Sequence, residues 1–249
     1  EDIHLPSVMV SASIINELGR MTRKSCSGVI VHRQMVVSAG HCFCAPRSPK
    51  DEDRTPQRSG AGTAASSPGG RAEKRRVTRA SALKNVSLTS IVDGKSLCAT
   101  TATVTTVRYT STTSGTASKP EILDHTGEVV LHPAFELITG HRGHSRGVVW
   151  SNSDLAVILL KEPLVATLPW LELTEAEVQA GDAITMVGYS SGDDSSPVYG
   201  ARHFGVNRVS RLIHLETGSS VFRAEEQQMP GGAAAPHTQG GDSGGACVK

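Results

Sequence analysis

Aromatic side chains are scarce in this sequence, at 4% of 249 residues, whereas glycine is plentiful, with 25. Val, Thr and Ile recur in short runs separated by Gly, Pro, Ser and Asn. That pattern favours many short strands over helices. Charge of either sign is not in excess: 25 Lys and Arg nearly balance 24 Asp and Glu, leaving a net charge of +1. Net charge therefore gives no argument for nucleic acid or an anionic membrane as partner. No run of 18 or more apolar residues occurs, so no membrane span is expected. No signal-peptide pattern stands at Glu1, which leaves the start uninformative about targeting. No internal repeat of fixed period is found.

Cysteine is sparse and odd in number: Cys26, Cys42, Cys44, Cys98 and Cys247. No pair has the repeated spacing of a zinc ribbon, and Cys42-Phe43-Cys44 is too tight for the usual two-residue gap. Two readings stand. Two disulfides and one thiol would point to an oxidising compartment; the alternative is five reduced core residues.

Along the chain, Val8 to Ile15 reads as a strand, and Val29 to His32 with Met35 to Ala39 as a hairpin turning at Arg33-Gln34. Ala45 to about Ala80 has almost no large apolar residue and is predicted to be a mobile loop, carrying the basic cluster Arg71, Lys74, Arg75, Arg76 and Arg79. Period-two alternation returns strongly at Thr101 to Val107. Further strands are expected at Glu128 to His132, Leu155 to Leu160, Ala183 to Tyr189, His203 to Leu215 and Ser220 to Arg223. The segment from Lys161 to Thr174, with Pro163 and Pro169, looks like a crossing between two strand-rich halves.

Three motifs carry chemistry. Val36-Val37-Ser38-Ala39-Gly40-His41-Cys42 puts a histidine just after a strand. Ser153-Asp154-Leu155-Ala156-Val157 puts an acid at the start of an apolar strand. Gly240-Gly241-Asp242-Ser243-Gly244-Gly245 puts a serine among glycines. A serine hydroxyl needs a neighbouring base to attack at neutral pH, and histidine suits that role. A carboxylate fixes the imidazole tautomer, and glycines let backbone N–H groups turn toward an oxyanion. Each motif alone has a bland reading as a turn, cap or structural residue; the three in the order His, Asp, Ser are far more specific.

Ser-Ala-Gly-His-Cys, Asp-Leu-Ala-Val and Gly-Asp-Ser-Gly-Gly resemble the three signatures of the trypsin/chymotrypsin family, in that family's order. The resemblance covers roughly residues 6–44 and 127–249, and 45–126 departs from it. It implies an all-β fold of two six-stranded antiparallel β-barrels, the second incomplete here. The boundaries expected are 1–165 for the first barrel, with the long insertion 45–126, and 166–249 for the partial second. The implied activity is that of a serine endopeptidase working through an acyl-enzyme. Ser243 would be nucleophile, His41 general base and then acid, and Asp154 the group orienting the imidazole. The N–H groups of Gly241 and Ser243 would form the oxyanion hole. The same likeness implies a Cys26–Cys42 disulfide bracing the histidine loop, leaves Cys44 and Cys98 to pair across the insertion, and makes Cys247 a free core thiol. It calls for no cofactor and no metal and for a protein or peptide substrate; a secreted or cell-envelope location is expected from the two-disulfide reading and the overall character of the sequence.

The departures shape the alternatives. His41 and Asp154 are 113 positions apart, beyond the usual spacing, although loop closure costs little more for a longer loop. His237 stands where the family places the base of the primary specificity pocket, with no acid between Met229 and Gly241 to select Lys or Arg. Gln239 replaces a customary cysteine. The Glu1 end lacks the residues that would pair with Asp242 after activation. The sequence stops at Lys249, soon after Ser243, which leads us to expect a fragment, or a second chain or C-terminal segment that completes the barrel. A catalytically inactive protease-like binding module and a latent zymogen, cut in the Arg71–Arg79 loop or upstream of Glu1, are the competing functions.

Overall fold

The computed structural model describes residues 6–15, 21–44, 87–93, 98–108, 120–142, 145–190, 202–215, 220–224, 238 and 240–249. Apart from a single 3-10 turn at Gly40–Cys42, every regular element among them is a strand: β1 (Ser7–Ile15), β2 (Met21–His32), β3 (Met35–Ser38), β4 (Ser87–Asp93), β5 (Thr101–Arg108), β6 (Glu121–Leu131), β7 (Glu136–Arg142), β8 (Ser145–Asn152), β9 (Ala156–Leu160), β10 (Ala183–Gly188), β11 (His203–His214), β12 (Ser220–Ala224) and β13 (Ala246–Val248). Six of these close into a barrel in the order β1-β2-β3-β9-β6-β5, all neighbours antiparallel. β12-β11-β10-β13 form a four-stranded half-barrel, and β4-β7-β8 a separate three-stranded sheet. This is the all-β trypsin fold of one closed barrel followed by part of a second.

The barrel closes because alternate residues of its strands are apolar and point inward. Val8, Val10, Ala12 and Ile14 of β1 are all buried, as are Ala102 and Val104 of β5 and Ala156, Ile158 and Leu160 of β9. With few aromatics, the core is aliphatic, and Phe43, just after the histidine turn, is its largest fully buried side chain. The hairpin read at Arg33-Gln34 is present, with Met35 pairing His32. The segment beyond β9 crosses the barrel: the Leu164 N–H donates to the Arg33 carbonyl (2.8 Å), that of Leu171 donates to Ile30 (2.9 Å), and Leu164 and Leu168 are buried.

Two sequence expectations change. β5 and the first part of β6 lie within 45–126, so barrel staves interrupt that stretch. Cys247 is a free thiol but not a core one. β13 alternates like any strand, so Ala246 is buried and Cys247, its neighbour, faces out and is exposed. The loop expected from 45 to about 80, with its basic cluster, lies outside the described residues.

Candidate active site

His41 sits in the 3-10 turn that ends β3, and its side chain remains partly accessible. Asp154 lies at the mouth of β9, in a tight turn. Ser153 has a φ of +46°, and the Leu155 N–H closes back on the Ser153 carbonyl at 2.7 Å. A non-glycine residue at positive φ is uncommon, and here it swings the next side chain toward the histidine. The Asp154 carboxylate then accepts twice from His41. Its Oδ1 takes the backbone N–H (2.8 Å) and its Oδ2 takes ring Nδ1 (2.7 Å). A carboxylate can only accept, so Nδ1 carries the proton and Nε2 of the neutral ring is left as a free base.

Burial is the largest influence on the Asp154 carboxyl and pushes its pKa up. Hydrogen bonds from the His41 ring and backbone, the positive charge that ring carries when protonated, and a hydrogen bond from Ser151 outweigh it and hold the group below the ordinary aspartate range. Beneath the turn, Lys24 of β2 donates from one Nζ to the carbonyls of His41 (2.9 Å) and Cys44 (2.7 Å). Burial lowers the Lys24 pKa, and the nearby Asp154 charge partly offsets this.

Both expected disulfides are formed. Cys26–Cys42 ties β2 to the histidine turn, and Cys44–Cys98 ties the end of that turn to the chain entering β5. Cys26, His41 and Cys42 place ligand-type atoms within 4.8 Å of one another, but both sulfurs are in the disulfide and offer no thiolate to a metal.

Ser243 is brought to the histidine turn through its backbone. Its carbonyl accepts from the Ser27 N–H at 2.9 Å and lies 3.9 Å from the Cys42 sulfur. The turn around it depends on glycine. Gly241 has φ +105° and Gly244 φ +82°, both strained for any other residue. A Cβ on Gly244 would collide with the Ser38 hydroxyl, the Ser27 carbonyl and the Ala39 nitrogen, so this loop packs directly on the residues before His41. Among the described residues, no hydrogen bond links the Ser243 hydroxyl to His41, and none takes up the N–H of Gly241 or Ser243. His237, the expected pocket residue, lies outside the described residues.

Lys24, Ser27, Ser151 and Ser153 were not singled out in the sequence. Each has a common residue type, and of the four only Ser153 stands in one of the three motifs, as the residue before Asp154. The one available cue is proximity, since Ser27 follows Cys26, Lys24 lies two residues before it and Ser153 precedes Asp154.

The closed six-stranded barrel and the four-stranded half-barrel are those expected from the resemblance to the trypsin/chymotrypsin family. Residues 6–94 match the Trypsin family model, and over that span the chain resembles the trypsin-like serine proteases. The match contains the histidine motif and runs into the stretch beyond residue 44 that the motifs alone left out; Asp154 and Ser243 lie beyond it. No curated protein matches the chain.

Proposed function

We propose that the protein is a serine endopeptidase that cleaves peptide bonds through an acyl-enzyme on Ser243. The observation that carries this reading is the double grip of Asp154 on His41, which assigns the proton of the neutral ring to Nδ1 and leaves Nε2 to act as general base. His41 would take the Ser243 proton as the hydroxyl attacks the scissile carbonyl, then return it to the leaving amine. Asp154 would stabilise the imidazolium between those steps. The uncommitted N–H groups of Gly241 and Ser243 would receive the oxyanion. The partner is a protein or peptide substrate. Two disulfides support a secreted or cell-envelope location. Residues 1–165 would act as the first barrel and 166–249 as the partial second.

The test is covalent labelling of the folded, full-length protein with a fluorophosphonate. Labelling confined to Ser243 and abolished in Ser243→Ala supports the proposal. A folded preparation that takes up no reagent, alongside an identical Ser243→Ala variant, sinks it. The missing contact between the Ser243 hydroxyl and His41 favours one second reading, a latent or inactive protease-like binding module. Under that reading, labelling appears only after cleavage or not at all.

A further inference from the structure

Every hydrogen-bonding group of Ser27 is used, and its partners lie in the serine loop, in the strand leading to the histidine and at the end of β10. Ser27 lies in β2 of the closed barrel and is fully buried, at 0% exposure. Its backbone N–H donates to the Ser243 carbonyl at 2.9 Å. Its carbonyl accepts from the Ser38 hydroxyl at 2.7 Å, in the strand leading to His41. Its hydroxyl donates to the Gly241 carbonyl at 2.8 Å and accepts from the Tyr189 N–H at 2.8 Å. A hydroxyl has one proton to give, so donor and acceptor roles are both assigned, and the bridge has a definite direction.

This places one side chain at the junction of three segments: β2 of the first barrel, the end of β10 of the second sheet, and the Gly241–Ser243 turn. Ser27 also follows Cys26, whose disulfide partner Cys42 follows His41. The group that grips the serine loop is therefore covalently close to the group that carries the histidine.

We propose that the Ser27 hydroxyl is a positioning residue that sets the Gly241–Ser243 turn, and with it Ser243, in register with His41. It touches no reacting atom. Without it the Gly241 carbonyl loses this donor and the Tyr189 N–H this acceptor inside a buried seam, while the backbone N–H of Ser27 still reaches the Ser243 carbonyl. Such a loss moves the nucleophile by a fraction of its own hydrogen-bond length, a scale on which reaction rates are steeply sensitive. The catalytic half of this proposal rests on the endopeptidase reading; the positional half does not.

Two measurements on the full chain separate them. Amide hydrogen exchange at Tyr189 and across Gly241–Gly245 reports the turn without any activity. Second-order fluorophosphonate labelling of Ser243 reports the alignment. Ser27→Ala keeps the backbone N–H and removes the bridge. It is expected to raise exchange at those amides while amides of β1 and β5 stay protected, and to slow labelling by about 100-fold. Ser27→Thr restores the hydroxyl and is expected to recover protection and labelling to within a few-fold of the parent. Should the alanine variant not fold, Ser27→Gly, which also lacks the hydroxyl, is compared with the threonine variant in its place. Unchanged exchange in a folded hydroxyl-free variant overturns the proposal, as does a folded Thr variant no better than Ala. A parent that exchanges as expected but never labels removes the endopeptidase reading and leaves the positioning role standing.

Discussion

Asp154 holds both the ring and the backbone of His41, with Oδ1 on the main-chain N–H and Oδ2 on Nδ1. The two contacts do different things. The backbone bond fixes where the turn sits; the ring bond fixes which nitrogen carries the proton. An amide in place of the carboxylate changes only the second. Asp154→Asn can present its NH2 to Nδ1, which moves the ring proton to Nε2 and blocks proton acceptance from Ser243. The expected result is a fall of about 10⁴-fold in kcat, or in the labelling rate, with little change in fold. Phosphonate labelling with circular dichroism checks it, and a variant labelling at the parental rate would contradict the assigned role of Asp154.

The same carboxylate predicts an acid dependence of stability. Its folded pKa lies below the unfolded one, so the folded state binds fewer protons in the window between them. The contribution is fully present above the unfolded aspartate value and is lost as pH falls through the lower folded value. Urea unfolding of the parent and Asp154→Asn across the acid range should show the gap between them narrowing toward low pH. A constant gap is the contrary outcome.

Lys24 predicts the opposite end. Burial disfavours its charged form, so its folded pKa is depressed and the unfolded chain binds the proton more tightly. The cost of keeping it charged is present below the folded value, and stability rises as pH climbs through the interval up to the ordinary lysine value. Lys24→Met removes that alkaline rise. It also leaves the His41 and Cys44 carbonyls without their donor, a loss of about 1 kcal/mol or more at neutral pH. Denaturant titrations at neutral and alkaline pH measure both effects.

How far the sequence reveals this structure depends on the kind of signal. β5 shows in the Thr-Ala-Thr-Val-Thr alternation because its inward residues are apolar and its outward ones are not. The opening of β2, Met21 to Ser25, has no such alternation; it is held by pairing with β1 and is largely exposed, so the strand looks shorter in sequence than it is. β13 has three residues and no period to read. At the site, His41 and Asp154 are legible because their chemistry constrains the neighbouring residue types. Ser27 and Lys24 act through main-chain carbonyls and N–H groups that any sequence possesses, so only the three-dimensional path of the backbone exposes them.

The two disulfides should differ in their effect on stability. Cys26–Cys42 closes a separation of 16 residues and Cys44–Cys98 one of 54. In the chain-entropy account, losing the first costs about 3 kcal/mol and losing the second about 4 kcal/mol. Paired Cys→Ser variants compared by urea unfolding test the ranking. The smaller stability loss should carry the larger loss of Ser243 labelling, because Cys42 adjoins His41 and packs on the Ser243 carbonyl.

Gly244 offers the sharpest steric test of how the serine loop meets the first barrel. Its φ of +82° is costly for alanine, by about 1 kcal/mol or more. The added methyl would also strike the Ser38 hydroxyl, the Ser27 carbonyl and the Ala39 nitrogen, two of them main-chain atoms, one in β2 and one just past the end of β3, that cannot rotate aside. The loop must retreat, and the Ser27–Ser243 bond at 2.9 Å is the first contact it would break. Gly244→Ala is therefore expected to lower the unfolding midpoint, to expose the Ser27 amide to exchange, and to abolish labelling of Ser243 while His41 and Asp154 stay bonded. Alanine at Gly240, where a Cβ meets nothing within 4 Å, is the matched control and should leave all three readings near the parent. Equal behaviour of the two variants would mean that the loop does not seat against Ser38 and Ala39 in solution.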